Sequence, residues 1–138
     1  MVVTFEELQS FLTEQFPQGA RYGSLEKLGD GWAEMKLEVE EEHLRPGGTV
    51  AGPAMMGLAD VALYAALLGK IGLLPLAVTS NLTINFLRKP VAHSPIRARA
   101  NILRIGSASG VGEVYVYSDG MDEPVAHATI TYAIPPRR

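Results

Sequence analysis

One aspartate interrupts an apolar run that otherwise carries no charge. Asp60 is the only charged residue between Val50 and Leu68. The run is rich in Ala, Leu and Met, which favour helix, and a helix that is apolar on every face is either the core of a domain or a membrane span. A carboxylate inside such a helix loses much of its hydration unless other groups compensate. Asp60 is therefore either a chemically active carboxylate or a structural residue whose oxygen atoms find hydrogen-bond partners.

A membrane span is the less favourable interpretation of this run. Its length approaches the roughly 20 residues that a span requires. An acidic residue in the middle, however, costs about 2.5–3.5 kcal/mol on insertion scales. Gly52, Pro53 and Gly57 weaken a span further, and no aromatic belt or basic flank marks its ends. The run therefore predicts a buried core helix over about Pro53–Leu68.

Length and composition exclude several classes of protein. A chain of 138 residues suits a single domain, predicted here as 1–138. The net charge is −3 with no block of Lys or Arg, so no nucleic-acid partner is expected. There is no Cys, which excludes a thiolate site and fits a reducing compartment. The first residues lack the pattern of a signal peptide, and a cytoplasmic location is the expectation.

The N-terminal segment, residues 1–17, predicts a short amphipathic helix. Thr4 and Glu7 have the spacing of a capping box, and Pro17 ends the helix. The apolar residues follow at helical spacing: Phe5, Leu8, Leu12 and Phe16.

The remainder of the chain reads as strands. A Gly-Asp-Gly turn at 29–31 separates Ser24–Leu28 from the alternating run Trp32–Glu40. Four further strands are predicted at Ala77–Leu87, Ile96–Ile105, Val111–Ser118 and Val125–Ile134. One long buried helix among six antiparallel strands indicates an α+β domain in which the sheet wraps the helix.

Three motifs carry a resemblance to a known family. They are the triplet Leu58-Ala59-Asp60, the strand end Phe86-Leu87-Arg88 with Pro90, and the closing segment 123–129. Together they resemble the hotdog-fold acyl-CoA thioesterases, in particular the phenylacetate-pathway subfamily. The resemblance implies a hotdog fold: a long central helix wrapped by a curved antiparallel sheet of about five to six strands.

The resemblance also implies catalytic roles. In the family, the Asp of the triplet is a general base or nucleophile at a dimer interface, which here is Asp60. Thr79 corresponds to the Thr or Ser that holds the water, and we expect it to come from the partner subunit. Gly52 begins the helix, where free N–H groups and the helix dipole can polarise a thioester carbonyl. The plain alternatives are a helix start for Gly52 and an ordinary strand residue for Thr79.

Five residues are predicted to contact the rest of the substrate: Arg88, Lys89, Gly106, Ser107 and Met56. The two cations can pair with CoA phosphates, although a solvated strand end explains them equally well. The Gly-Ser pair matches the bend where the family receives the carrier, and is otherwise a hairpin turn. An apolar helix wall suggests a medium-chain or aromatic acyl group, although such a stripe is usually core packing. That wall comprises Met55, Met56, Leu63 and Tyr64.

The chain departs from the family at three positions. The family His falls on Ala51, the second Gly on Pro53, and an upstream Asn on Arg45. His43 is the one histidine that could replace the missing residue. None of the three histidines has metal-ligand spacing, so no metal is expected.

The sequence therefore predicts an acyl-CoA thioesterase that releases the free acid and CoA. CoA is part of the substrate, and no other cofactor is expected. A homodimer, assembling as a dimer of dimers, is the expected state. The alternative is a hotdog module that binds acyl-CoA with little or no turnover, because Ala51 replaces the family His. Hydratase chemistry on this fold normally needs a His that has no counterpart here.

Overall fold

The structure, a computed structural model, describes residues 1–136. Two α-helices, α1 (Phe5–Gln15) and α2 (Gly52–Ile71), accompany two short 3-10 helices at Pro17–Arg21 and Glu41–His43 in this range. The strands are β1 (Ser24–Gly29), β2 (Trp32–Leu37), β3 (Val78–Phe86), β4 (Ile96–Ile105), β5 (Ser109–Ser118) and β6 (Ala126–Ala133). Residues 137 and 138 of the predicted domain lie outside the described residues.

The long apolar run is a helix, as predicted, and it forms the core. It extends three residues beyond the predicted Leu68, to Ile71. By length and composition alone α2 could cross a membrane, but 67% of its most apolar stretch is buried inside the protein. Leu58, Leu63 and Leu67 are almost completely buried against the sheet. A helix that is apolar all round is thus buried on most of its surface by one chain.

A single antiparallel sheet wraps this helix. Its six strands lie in the order β1-β2-β4-β5-β6-β3, so β1 and β3 are the edges. Side chains alternate between the helix side and the outer side, and in β2 the buried residues are Ala33, Met35 and Leu37. β2 ends at Leu37 rather than at the predicted Glu40, because the chain leaves the sheet and turns into the second 3-10 helix. The α+β architecture of a helix wrapped by a sheet is confirmed.

Two glycines in β5 let α2 approach the sheet closely. A Cβ atom on Gly112 would overlap Leu63 Cδ1 and would lie 2.7 Å from the carbonyl oxygen of Asn101. A Cβ atom on Gly110 would lie 2.8 Å from Leu67 Cδ1. A side chain at Gly112 would thus meet a backbone oxygen atom that cannot easily move, whereas at Gly110 it would meet only the end of the Leu67 side chain.

The N-terminal helix begins at the predicted capping box. Glu7 N–H donates to Thr4 Oγ1 at 3.1 Å, and Thr4 N–H donates to Glu7 Oε1 at 2.9 Å. Leu8 is its one fully buried residue. The helix ends at Gln15, and Phe16 and Pro17 lead into the first 3-10 helix.

Gly112→Ala should lower the free energy of unfolding by about 1–3 kcal/mol, because its new methyl group overlaps both Leu63 and a backbone oxygen atom. Gly106→Ala is the matched control. Its Cβ atom would lie 3.6 Å from Ser109 O, an ordinary contact, so we expect a change within about 0.5 kcal/mol. Urea unfolding of both variants measures the difference. If Gly112→Ala and Gly106→Ala have equal free energies of unfolding, the close approach of α2 to β5 is contradicted.

Candidate active site

Asp60 lies near the middle of α2, half-buried, with two hydroxyl groups on one of its carboxylate oxygen atoms. Thr79 Oγ1 donates to Asp60 Oδ1 at 2.7 Å, and the Tyr132 hydroxyl lies 2.9 Å from the same atom. Within residues 1–136 no group donates to Oδ2. The carboxylate is thus held through one oxygen atom, while the other is available to a water molecule or a substrate.

A β-bulge directs Thr79 toward Asp60. Opposite β6, the register of β3 shifts by one residue at Ser80, so Thr79 pairs directly with Tyr132. With strict alternation from the inward-facing Leu82, Ser80 would face the helix and Thr79 would face away. The extra residue reverses this order and brings Thr79 and Tyr132 to the same face. Ser80 Oγ donates instead to the carbonyl oxygen of Thr131 at 3.2 Å.

The expectation that Thr79 reaches the site from a partner subunit is wrong for this hydrogen bond, because Thr79 and Asp60 of one chain are in contact. The sequence reasoning missed Tyr132 entirely. A signal was present: Tyr132 continues the inward-facing positions Ala128 and Ile130 of β6. A buried tyrosine hydroxyl usually has a hydrogen-bond partner, so an inward tyrosine was a candidate for contact with the only carboxylate on α2.

Tyr132 is a fixed, protonated donor. Its ring stacks on Tyr64 with centroids 5.7 Å apart and planes 20° from parallel, and the Tyr64 ring lies nearly perpendicular to that of Phe16 at 6.1 Å. Burial, followed by the negative charge of Asp60, raises the pKa of Tyr132. The phenol therefore stays protonated, and its O–H group donates a hydrogen bond to the carboxylate. The carboxylate is a stronger acceptor than the Asp60 carbonyl oxygen 3.0 Å away.

An apolar cavity of about 630 Å³ opens beside Asp60. This volume lies within the range of roughly 300–1,000 Å³ that is usual for small-molecule sites. Its walls come from the N-terminal segment, α2, β3 and β6. Met56 and Tyr64 line it, as predicted, but Met55 and Leu63 are buried in the core and form no part of its wall. The helix face turns by about 100° per residue, so only some of the predicted apolar wall can reach the cavity.

The N-terminus of α2 lies at a distance from Asp60. Gly52 follows Ala51, which supplies no side-chain cap, and no acceptor for the Gly52 N–H occurs in the described part of the chain. The Phe86 ring lies beside Gly52, where a Cβ atom would be 3.2 Å from Phe86 Cζ. Asp60 lies eight positions beyond Gly52, which is roughly 12 Å along the helix at about 1.5 Å per residue. One chain therefore does not bring these two predicted catalytic residues together.

The predicted carrier-binding residues lie at opposite ends of α2. Arg88 donates to Glu123 Oε2 at 3.1 Å and to the carbonyl oxygen of Pro124. Lys89 is exposed, and it forms no ion pair with any described residue. Gly106 and Ser107 line a hollow with Ile71, the last residue of α2, which is roughly 16 Å along the helix from Asp60.

Two of the three histidines have structural partners. His43 Nδ1 accepts the Glu40 N–H at 2.8 Å, and the residue does not line the Asp60 cavity. His127 Nε2 lies 2.9 Å from Glu113 Oε1, and its ring packs on Tyr115. Among residues 1–136 no group of three or more His, Asp or Glu side chains could hold a metal ion.

Comparison with known proteins identifies the class. The Thioesterase superfamily model matches residues 47–125. A Silicibacter sp. TM1040 protein with a provisional assignment as a thioesterase is 43% identical, with 99% of this chain and 94% of that chain covered and a TM-score of 0.90. A mutant of the phenylacetic acid degradation protein PaaI from Thermus thermophilus is 28% identical, with 86% and 99% covered and a TM-score of 0.74. No curated protein matches.

Zebrafish thioesterase superfamily member 2 shares the fold, with a TM-score of 0.83 over 96% of this chain and 99% of that chain at 17% identity. The helix and the sheet that wraps it define a hotdog fold, and the family model and the 43% identical relative indicate the thioester hydrolase class. The chain belongs to the Thioesterase superfamily, and the predicted resemblance to its PaaI-like members is confirmed.

Tyr132→Phe should lower the free energy of unfolding by about 1–2 kcal/mol, because it removes one donor to Asp60 and keeps the stacked ring. A double-mutant cycle with Asp60→Ala, which removes the acceptor oxygen atoms, should give a coupling energy of about 1 kcal/mol. Tyr115→Phe is the control, since no described residue bonds its hydroxyl group. If the Tyr132 and Asp60 substitutions have additive effects on the free energy of unfolding in urea, the hydrogen bond between these residues is contradicted.

Proposed function

We propose that this protein hydrolyses acyl-CoA thioesters to a free acid and CoA, with Asp60 as the reactive carboxylate. One observation carries the proposal: two hydroxyl groups hold Asp60 Oδ1, while no described residue bonds Oδ2, on the wall of an apolar cavity. Hydrogen bonds at one oxygen atom fix the direction of the other, as acid–base or nucleophilic catalysis requires. Thr79 and Tyr132 then act by positioning Asp60.

Two chemical courses fit this arrangement. As a general base, Asp60 takes a proton from water, and the resulting hydroxide attacks the thioester carbonyl carbon. As a nucleophile, Oδ2 attacks that carbon itself to give an anhydride, which water then hydrolyses at the aspartyl carbonyl carbon. In both courses the C–S bond breaks and the CoA sulfur leaves with the electron pair. A single turnover in heavy-oxygen water separates them, because only the second course puts the label into Asp60.

The carbonyl oxygen needs donors close to the reacting carbon, since an oxyanion is stabilised by N–H groups about 3 Å away. The free Gly52 N–H at the uncapped start of α2 is such a donor, but it lies roughly 12 Å from Asp60 in the same chain. Gly52 of a second copy therefore has to complete the site. The proposed enzyme is a homodimer with Asp60 and Gly52 contributed by different chains.

The edge strand β3 supports this dimer. Among the described residues it pairs with β6 on one side only, and two of its apolar residues are exposed: Val78 is 56% and Phe86 49% exposed. An open apolar edge invites pairing with a second copy. Antiparallel pairing of two β3 strands would bring the Thr79 end of one strand, beside Asp60, to the Phe86 end of the other, beside Gly52. Whether two such dimers associate into a tetramer stays a prediction.

The same pairing suggests where the CoA carrier lies. Arg88 and Lys89 follow β3 at its Phe86 end, so the chain that supplies Gly52 would also supply these cations to the phosphates. Arg88 would have to share its contact with Glu123. Gly106 and Ser107 could meet the same substrate only from a second copy, and their role stays a prediction. The enzyme would need no cofactor besides CoA and would act in the cytoplasm.

The cavity suggests the acyl group. Its lining is mainly aromatic and aliphatic, with Phe11, Met56, Tyr64 and Leu82 among its residues. A medium-chain or aromatic acyl group would fill such a space, with its carbonyl carbon at the Asp60 end. A non-catalytic or weakly active acyl-CoA-binding module is the second candidate. One observation favours it: Ala51 stands where the resemblance places a His, and His43 contacts Glu40 instead.

Asp60→Asn should reduce kcat by roughly two to four orders of magnitude, because the amide cannot accept a proton or attack the carbonyl carbon. Thr79→Ala should cost about tenfold, since Tyr132 still holds Oδ1. Thiol release from a panel of straight-chain and aromatic acyl-CoA esters measures both effects.

Asp122→Asn, the same change at an exposed site, is the control for the Asp60 experiment and should keep full activity. Wild-type activity that survives in Asp60→Asn would contradict the proposed chemistry. A wild-type protein that binds acyl-CoA in calorimetry without releasing thiol would establish the binding module instead.

The shared site predicts complementation between two inactive variants. Ala51→Asp should cap α2 and place a carboxylate beside the Gly52 N–H, where its charge repels an oxyanion, so the variant should be inactive but not less stable than the wild type. When the Ala51→Asp and Asp60→Asn variants are refolded together, the mixture should have roughly a quarter of the wild-type activity. Half of the randomly formed dimers are then hybrids, each with one intact site. If the mixture stays inactive, Gly52 and Asp60 do not act from different chains.

A further inference from the structure

We propose that the ring of Phe16 is a partition that sets the length of the acyl chain, by separating the Asp60 cavity from a second hollow. This proposal rests on the proposed function, because it assigns the cavity to an acyl group. It adds a specificity-determining residue and a second binding space for the terminal methylene groups of a longer chain.

The second hollow has a volume of about 210 Å³ and lies beneath the N-terminal segment. Leu12 of α1, Leu25 of β1 and Met35 of β2 contribute to its lining, which makes it largely apolar. Phe16 and Val61 line both this hollow and the cavity beside Asp60. Phe16 and Val61 therefore form the wall between the two spaces.

Contacts on two sides hold the Phe16 ring in this wall. It lies nearly perpendicular to the Tyr64 ring, with centroids 6.1 Å apart and planes at 82°. On the other side it lies so close to Gly19 that a Cβ atom there would be 2.7 Å from the ring. Phe16 also follows the last residue of α1 and precedes Pro17, whose ring fixes the backbone direction.

The volumes indicate what such a partition does. A space of about 210 Å³ is smaller than a usual small-molecule site, so the hollow is better suited to extend the first cavity than to bind a ligand alone. Each methylene group moved from water into apolar surroundings strengthens binding about fourfold, equivalent to about 0.8 kcal/mol. With Phe16 in place, a long straight chain cannot enter the hollow and loses this gain. Opening the wall should therefore favour long chains over short ones.

The test replaces Phe16 and compares straight-chain substrates. In Phe16→Ala, the ratio of kcat/KM for tetradecanoyl-CoA to that for hexanoyl-CoA should rise about tenfold or more over the wild type. Phe16→Leu, which keeps a branched apolar side chain, should show a smaller rise and guards against poor folding of the alanine variant. Asp60 is unchanged in both variants, so hexanoyl-CoA should still be hydrolysed.

Two further variants show whether the gain comes from the second hollow. Phe5→Ala is the matched control: Phe5 is another phenylalanine of α1, and it lines neither the Asp60 cavity nor the second hollow. It should leave the chain-length ratio near that of the wild type. Ala20→Leu, added to Phe16→Ala, should partly fill the hollow that Ala20 lines and reverse the gain. If Phe5→Ala changes the chain-length ratio as much as Phe16→Ala does, or if Ala20→Leu does not reverse the change, the proposal is overturned.

Calorimetry keeps this test separate from the proposed function. If the wild type releases no thiol from any ester, hydrolysis is wrong, and binding of the same two CoA esters is measured instead. The ratio of the affinity for tetradecanoyl-CoA to that for hexanoyl-CoA should then be higher in Phe16→Ala than in the wild type by the same factor. An unchanged affinity ratio in Phe16→Ala and in Phe16→Leu would refute the partition, whatever the catalytic result.

Discussion

The burial of α2 inside the sheet is the constraint on which the other features depend. A helix that is apolar on every face has to be enclosed, and Gly110 and Gly112 let the sheet approach it closely. The one carboxylate of this helix consequently lies at a boundary between core and cavity. Thr79 and Tyr132 compensate its lost hydration, so the groups that make a charge tolerable here are also the groups that fix its direction.

The start of the same helix, in contrast, has no side-chain cap. Ser, Thr, Asp or Asn at the position of Ala51 would cap the helix and typically stabilise it by about 1 kcal/mol, but Ala51 offers no side-chain acceptor. The free N–H group at Gly52 is a small cost in stability. The carboxylate in the middle of α2 therefore has hydrogen-bond partners, whereas the start of the helix has no side-chain cap.

Periodicity and turn signals predicted the order of elements, and the apolar run predicted its own burial. Asp60 could be selected from sequence because a charge in such a run is exceptional. Tyr132 was missed because its contact with Asp60 spans 72 residues and depends on strand pairing, which no local pattern reveals. Two of the four residues predicted for the apolar wall do not line the cavity, for a related reason. Met55 and Leu63 face the core while Met56 and Tyr64 face the cavity, and only the tertiary structure distinguishes these helix faces.

Because of the bulge at Ser80, the position of a residue in the sequence does not by itself give its position in the sheet. Loss of Ser80 would remove the bulge and leave Thr79 opposite Tyr132, because Asn81 and Leu82 would keep their partners on β6. Loss of Thr79 would instead bring Ser80 to that position. A hydroxyl group would face Asp60 after either deletion. Relatives of this chain that differ by one residue here can therefore keep the contact through different residues, and an alignment by residue identity alone would assign it to the wrong one.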